Sequence, residues 1–119
     1  MHILESGEDY LESILIIKNE KGFVRSIDIV QHLGYSKPSV SIAMKKLRDN
    51  GYINIDDKGL ISLTEEGNKI ANTIYERHQV ITNVLIKIGV NKEQALIDAC
   101  KIEHDISEET FNAIKKHIK

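Results

Sequence analysis

Apolar residues recur at helical spacing along most of the chain. Such stripes run through residues 7–20, 26–33 and 36–50, and they predict three consecutive helices. Ser26 and Ser36 precede or open the second and third stripes, where helix N-caps are expected. A short turn, "GY", separates these two helices.

A β-hairpin is predicted next. Two short β-type runs, Tyr52–Ile55 and Leu60–Leu63, flank the segment "DDKG". Gly59 can supply the positive φ that a tight hairpin turn requires. The predicted order is three helices and then a hairpin, and the third helix opens after a tight turn. This order is the layout of a winged helix-turn-helix.

The remainder of the chain predicts three more helices. Residues 64–89 form a long stripe that Thr64 caps and Gly89 stops. Asn91 caps a fifth helix that ends near Ile106, and Ser107 caps a sixth. The expected fold is mainly α: a winged helix-turn-helix domain at residues 1–63, followed by a helical domain at residues 64–119.

The third helix is the candidate DNA-recognition element. It carries four basic residues and no acid between positions 36 and 48, although the whole chain has a net charge of −2. Hydroxyl side chains can approach phosphates and base edges, and Lys58 lies at the predicted hairpin tip. The predicted contacts to double-stranded operator DNA are Ser36, Lys37, Pro38, Ser39, Ser41, Lys45, Lys46 and Lys58. Two alternatives remain. The basic residues can form the ordinary solvated face of a helix, or the winged helix can bind a protein instead of DNA.

Composition excludes several other classes of protein. One cysteine in 119 residues cannot form an intrachain disulfide, which fits a reducing, cytoplasmic location. No apolar run approaches the roughly 20 residues that span a membrane, and the acidic N-terminal stretch does not resemble a signal peptide. No nucleophile–base pair or phosphate-binding loop is evident. An enzyme is therefore not expected, and neither is a small organic substrate.

Metal-ligand residues occur at helical spacing in two places. Cys100, Glu103 and His104 are separated by three and four positions, so they share one face of a helix, and all three are ligand types for first-row divalent metals. Asp9 and Glu12 share a face of the first helix, where like charges destabilise it by a few tenths of a kcal/mol unless a cation is bound.

Each of these residues also has a purely structural interpretation. Asp9 can complete a capping box with Ser6, and Glu12 can be a solvent-facing acid. His78, within the apolar stripe of the long helix, can be a hydrogen-bonded core residue. Cys100 can be a small buried apolar residue. The pair Glu103-His104 can be exposed polarity at a helix end. Spacing alone leaves these alternatives open.

Five motifs in this order resemble the diphtheria toxin repressor family of metal-dependent regulators, and especially its short manganese-transport branch. They are "EDYLESI", "SIDIVQHLGYSKPSVSIAMKKLRDNGYI", "GLISLTEEGNKIA", "ERHQVI" and "CKIEHDIS". The resemblance implies a homodimeric repressor of metal-homeostasis genes with Mn²⁺ or Fe²⁺ as cofactor. It also implies a metal that joins the DNA-binding lobe to the dimerisation lobe, with Asp9, Glu12, His78, Cys100, Glu103 and His104 as ligands.

The chain departs from the family pattern at several positions. Position 100 is usually a carboxylate in the manganese branch and a cysteine in the iron branch, whereas Asp9 follows the manganese branch, so the site is a hybrid. Thr82 stands where the iron branch has an ancillary-site glutamate. Ile42 stands where iron repressors carry a base-contacting glutamine, so an operator preference does not transfer.

A metal-independent winged-helix regulator that responds to a small organic ligand is the alternative function.

Overall fold

The computed structural model describes residues 5–118, with Glu5 described by its backbone alone. Within this range the chain forms six helices and one two-stranded sheet, which confirms the predicted fold class. The elements are α1 (Glu5–Lys21), α2 (Ser26–Leu33), α3 (Lys37–Asp49), β1 (Ile53–Ile55), β2 (Ile61–Leu63), α4 (Glu65–Lys87), α5 (Lys92–Ile102) and α6 (Glu108–His117).

Two compact units make up the chain, and they divide within α4, between Asn72 and Thr73. The helix itself continues through the division. The domain boundary predicted between residues 63 and 64 stays a prediction. None of the helices described for residues 5–118 has the length and apolar character needed to cross a membrane.

The first unit buries the apolar faces of α1, α2 and α3 together with one residue from each strand of the hairpin. Its most buried side chains are Leu11, Ile14, Val24, Ile29, Val40, Met44 and Ile53. Ser36 caps α3 as predicted, because its Oγ accepts a hydrogen bond from the Ser39 amide at 3.2 Å. These contacts fix α3 against the core by its apolar side and leave its other side at the surface.

The predicted cap of α2 is wrong. Ser26 is the first residue of the helix, and Arg25 occupies the N-cap position. The carboxylate of Asp28 accepts hydrogen bonds from the Arg25 amide at 2.9 Å and from Lys21 Nζ at 2.6 Å. An acid at the third position of the helix therefore satisfies the N-cap amide and pairs with the last residue of α1 at the same time.

The predicted hairpin forms, and its antiparallel register places Ile53 opposite Leu63 and Ile55 opposite Ile61. Gly59 has a φ of 81°, as the turn requires. Asp56 Oδ1 accepts hydrogen bonds from the Lys58 amide at 2.9 Å and from the Leu60 amide at 2.8 Å. This carboxylate therefore orders the wing tip, where the exposed Lys58 lies.

The second unit is held by apolar residues of α4, α5 and α6. Its buried members are Ile74, Ile81, Ala95, Ala99 and Phe111. Asn91 and Ser107 cap α5 and α6 as predicted, accepting hydrogen bonds from the amides of Glu93 and Thr110. Helix α5 ends at Ile102, however, and not near Ile106. Glu103 and His104 consequently lie in the turn that follows α5.

Gly67 permits a close approach between α4 and the backbone of Tyr52, the residue before β1 in the first unit. A Cβ at this position would lie 2.0 Å from the backbone oxygen of Tyr52. Helix propensity alone favours alanine over glycine by about 1 kcal/mol, whereas overpacking costs about 1–3 kcal/mol. The clash involves a backbone atom that cannot rotate away, so the overpacking cost exceeds the gain.

We therefore expect Gly67→Ala to lower the free energy of unfolding by up to about 2 kcal/mol, measured by urea denaturation. Asn68→Ala is the control, because Asn68 is exposed in the same helical turn. A Gly67→Ala protein as stable as the wild type would show that α4 does not depend on this close approach.

Asp28 makes the stability of the first unit depend on pH. Its hydrogen bond with Lys21 lowers the pKa of the carboxyl group, and this effect outweighs burial, which acts in the opposite direction. The stabilisation is present above the ordinary carboxyl pKa of about 4. It is lost as the pH falls through the lowered pKa of the folded state.

We expect the difference in unfolding free energy between the wild type and Asp28→Asn to be positive near neutral pH and to shrink in acid. Chemical denaturation across this pH range measures it. Asp49→Asn, at an exposed aspartate, is the control. A difference that does not change with pH would show that Asp28 stabilises the unit by shape and not by charge.

Candidate metal centre and nucleic-acid interface

The predicted DNA-contact residues all lie at the surface of the first unit. Val40, Met44 and Leu47 turn one side of α3 into the core, and the basic and hydroxyl residues lie on the rest of the helix. Every predicted contact residue is exposed: Ser36, Lys37, Pro38, Ser39, Ser41, Lys45, Lys46 and, at the wing tip, Lys58. This arrangement can present positive charge and hydrogen-bond donors to a phosphate backbone.

A surface groove on the same side adds residues that the sequence analysis left out of the contact set. Ser26 of α2 and Arg48 of α3 line it together with Ser41 and Lys45. The sequence pattern predicts Ser26 as a helix cap and not as a DNA contact. Its place at the start of the first helix of the helix-turn-helix motif is the signal that could have indicated a contact with DNA. Ile42, also in the groove, is 59% exposed, unlike the core residues of α3.

The second unit places three other predicted metal ligands near the carboxylate of Glu103. His78 of α4 lies with its Nδ1 2.8 Å from Glu103 Oε2. His104 Nε2 lies 3.5 Å from the other carboxylate oxygen, Oε1. The ligand atoms of Cys100, Glu103 and His104 all lie within 4.8 Å of one another. Thiol, carboxylate and imidazole therefore converge although Glu103 and His104 lie beyond the end of α5.

Burial excludes several of the structural interpretations. The Glu103 side chain is fully buried and that of His104 is 2% exposed, so this pair is not exposed helix-end polarity. Cys100 is exposed and is therefore not a small buried apolar residue. The His78 side chain is 24% exposed and contacts the Glu103 carboxylate, so it is a partly buried residue with a polar partner.

The environment of Glu103 fits a cation. Within residues 5–118, its buried Oε1 makes no hydrogen bond. A buried carboxylate oxygen without a donor costs free energy that a bound cation would offset. Thiolate, carboxylate and imidazole are all ligands for first-row divalent metals. The donor set and the buried oxygen together fit an ion such as Mn²⁺ or Fe²⁺.

Asp9 and Glu12 both lie on α1 in the first unit, as predicted. Ser6 is inside α1, so the capping box between Ser6 and Asp9 is wrong. Glu12 is 8% exposed, and the interpretation as a solvent-facing acid is wrong as well. Asp9 is partly buried, and its backbone oxygen accepts a hydrogen bond from Ser13 Oγ at 2.8 Å. The two acids therefore do not belong to the ordinary solvated face of a helix.

Thr82, where the ancillary site of the iron branch has a glutamate, is buried. Its hydroxyl donates a hydrogen bond to the backbone oxygen of His78 at 2.7 Å. The hydroxyl thus serves the helix backbone next to a predicted ligand.

Comparison with known proteins agrees with this geometry. Residues 2–60 match the family described as "Iron dependent repressor, N-terminal DNA binding domain", and residues 64–119 match "Iron dependent repressor, metal binding and dimerisation domain". The transcriptional regulator MntR of Escherichia coli is 39% identical over 114 residues, which cover 96% of this chain and 74% of that protein.

Two solved structures share the fold. The metal-dependent transcriptional regulator MtsR superposes with a TM-score of 0.87 at 26% identity, covering 94% of this chain and 53% of that one. T. acidophilum IdeR superposes with a TM-score of 0.83 at 26% identity, covering 99% and 55%. The chain spans about half the length of these two solved chains. Sequence and fold together confirm the resemblance seen in the motifs: the chain belongs to the iron-dependent repressor family of transcriptional regulators.

Proposed function

We propose that this chain is a metal-activated transcriptional repressor of manganese or iron homeostasis genes. It acts as a cytoplasmic homodimer on double-stranded operator DNA. The observation that carries the metal dependence is the fully buried Glu103, whose Oε1 makes no hydrogen bond within residues 5–118 while Cys100, His78 and His104 surround the carboxylate. A DNA-binding role is supported by the exposed basic face of α3.

The proposed ligands come from both ends of the chain. His78, Cys100, Glu103 and His104 are supplied by the second unit, and Asp9 and Glu12 are supplied by α1. Support for the last two comes from the resemblance and from their partial or nearly complete burial. A bound divalent cation would supply two positive charges to this set.

Coupling to DNA follows from charge repulsion among the acids. Without a cation, Asp9, Glu12 and Glu103 repel one another, so the states in which all three are close together are disfavoured. With the repulsion offset, the DNA-competent state becomes more populated, and operator affinity rises by the same factor. A coupling of about 1–3 kcal/mol, or roughly 5–150-fold in affinity, is typical. By reciprocity, operator DNA tightens metal binding equally.

The proposed DNA contacts are those of the exposed face of α3 and the wing. Lys37, Lys45, Lys46 and Lys58 would neutralise phosphates, and Ser36, Pro38, Ser39 and Ser41 would lie near the backbone and base edges. Phosphate contacts of this kind make affinity fall steeply with salt concentration.

Dimerisation is proposed through the second unit. Apolar side chains near the end of α4 and on α5 are exposed there, among them Ile88 at 72% and Ile97 at 52%. Exposed apolar residues in close succession are characteristic of interaction surfaces. The family description of this half as a dimerisation domain agrees with that interpretation.

Metal preference is proposed to lie between Mn²⁺ and Fe²⁺. Three carboxylates favour Mn²⁺, whereas the Cys100 thiolate favours Fe²⁺ and later metals. Because intrinsic affinity would favour Zn²⁺ over both, selectivity depends on coordination number and cellular supply.

The function is tested by gel shift on duplex DNA selected from a random pool in the presence of Mn²⁺. We expect chelator to weaken the wild-type complex by roughly 5–150-fold. Glu103→Gln should bind operator DNA equally with and without metal, because it keeps the shape of the side chain but removes both the charge that repels the other acids and the oxygen ligand for the cation. Glu108→Gln, at an exposed glutamate of α6, is the control and should respond like the wild type.

Chelator-independent binding would instead favour a metal-independent regulator. Failure to select any duplex would favour a protein-interaction module.

Cys100→Glu tests the hybrid character of the site. A carboxylate in place of the thiolate should raise the ratio of Mn²⁺ to Zn²⁺ affinity, measured by competition titration, because oxygen ligands suit Mn²⁺ better. Cys100→Ser is the control, since it removes the thiol without adding a carboxylate. If the ratio is the same in all three proteins, Cys100 does not bind the metal.

A further inference from the structure

Arg77 joins α4 to the connection between α5 and α6. It precedes His78 on α4, and its Nη1 donates hydrogen bonds to two backbone oxygens, those of Glu103 at 3.1 Å and Ile106 at 3.0 Å. Both oxygens belong to the connection between α5 and α6. One side chain of α4 therefore holds the turn in which Glu103 and His104 lie.

This turn has little support of its own. The last carbonyl groups of a helix have no partners within the helix, and α5 ends at Ile102. Two backbone hydrogen bonds tie the turn to α5, from the Glu103 amide to the Ala99 oxygen at 2.9 Å and from the Asp105 amide to the Ile102 oxygen at 3.0 Å. A guanidinium group satisfies two further carbonyl groups, and its positive charge is favourable at the C-terminal end of a helix.

The guanidinium is itself fixed by α6. It lies over the ring of Phe111, with 5.4 Å between Cζ and the ring centroid. Phe111 is 4% exposed and belongs to the core of the second unit. A cation over a buried ring in this range is held by a cation–π interaction, so the position of the Arg77 side chain is set by the packing of α6.

We propose that Arg77 is a positioning residue for the metal centre, an inference that rests on the proposed function. Two consecutive residues of α4 hold Glu103 from different sides: Arg77 binds its backbone oxygen, and His78 contacts its carboxylate at 2.8 Å. Arg77 thus fixes the backbone from which Glu103 and His104 project, before any cation is bound.

Positioning and simple electrostatics predict opposite effects of removing Arg77. The arginine is a positive charge in the same unit as the proposed cation, so charge repulsion alone predicts tighter metal binding without it. Loss of a group that orients ligands predicts weaker binding, by about 10–100-fold. The sign of the change therefore decides between the two.

The experiment compares wild type, Arg77→Met, Arg77→Lys and Lys115→Met in Mn²⁺ titration calorimetry. Lys115→Met is the matched control, because Lys115 also joins α6 to α4, but through the Glu76 side chain at 2.7 Å and with its own side chain 41% exposed. We expect Arg77→Met to bind Mn²⁺ about 10–100-fold more weakly. Arg77→Lys should lie between it and the wild type, and Lys115→Met should match the wild type.

Amide exchange of the metal-free proteins supplies a readout that does not depend on metal. We expect faster exchange at residues 103–107 in Arg77→Met than in Lys115→Met, with similar thermal unfolding midpoints for the two. If Arg77→Met does not fold, Arg77→Lys carries the test. It retains the charge but cannot reproduce the planar guanidinium.

Three results would overturn the proposal. In one, both Arg77 variants bind Mn²⁺ as tightly as the wild type or more tightly. In another, both Arg77 variants lose affinity only in proportion to a general loss of stability that Lys115→Met shares. These results leave the proposed function intact. In the third, the wild type itself binds neither Mn²⁺ nor, in an anaerobic titration, Fe²⁺, and the proposed function fails together with the role of Arg77.

Discussion

The buried carboxylate of Glu103 is the feature on which the second unit and the proposed metal response depend. Removing a carboxylate from water is costly unless donors or a cation compensate it. His78 contacts one oxygen at 2.8 Å, whereas the other makes no hydrogen bond within residues 5–118. In the folded chain this arrangement carries an unfavourable free energy of burial, which the proposed divalent cation would offset. Metal binding and local stability are linked for this reason.

Helix α4 supplies two of the side chains that contact Glu103. It crosses the division between the two units without interruption and places Arg77 and His78 next to the turn after α5. Its first turn, by contrast, packs against the hairpin of the DNA-binding unit through the glycine at position 67. One continuous element therefore contacts the wing near one end and the predicted ligands further along.

Charge is distributed to match the two tasks. The basic residues of α3 are exposed and lie away from its apolar core side, whereas the Glu103 carboxylate is buried in the other unit. Exposed lysines stay hydrated in the folded chain, so folding imposes little desolvation cost on them. Clustering on one helix is therefore enough to form a basic surface for a ligand. A buried acid needs a tertiary structure to hold it, and this is where the chain uses Arg77, His78 and Phe111.

The sequence alone determined the order and nature of the elements, because apolar spacing, serine and asparagine caps and glycine turns are local signals. It also placed the basic face of α3 and the predicted ligand types. It did not reveal that α5 ends at Ile102, that Asp28 and not Ser26 satisfies the start of α2, or that Arg77 binds the Glu103 and Ile106 carbonyl groups. Those features were decided by the tertiary structure. Where a helix ends, and which buried oxygen lacks a donor, depend on side chains distant in sequence that only folding brings together.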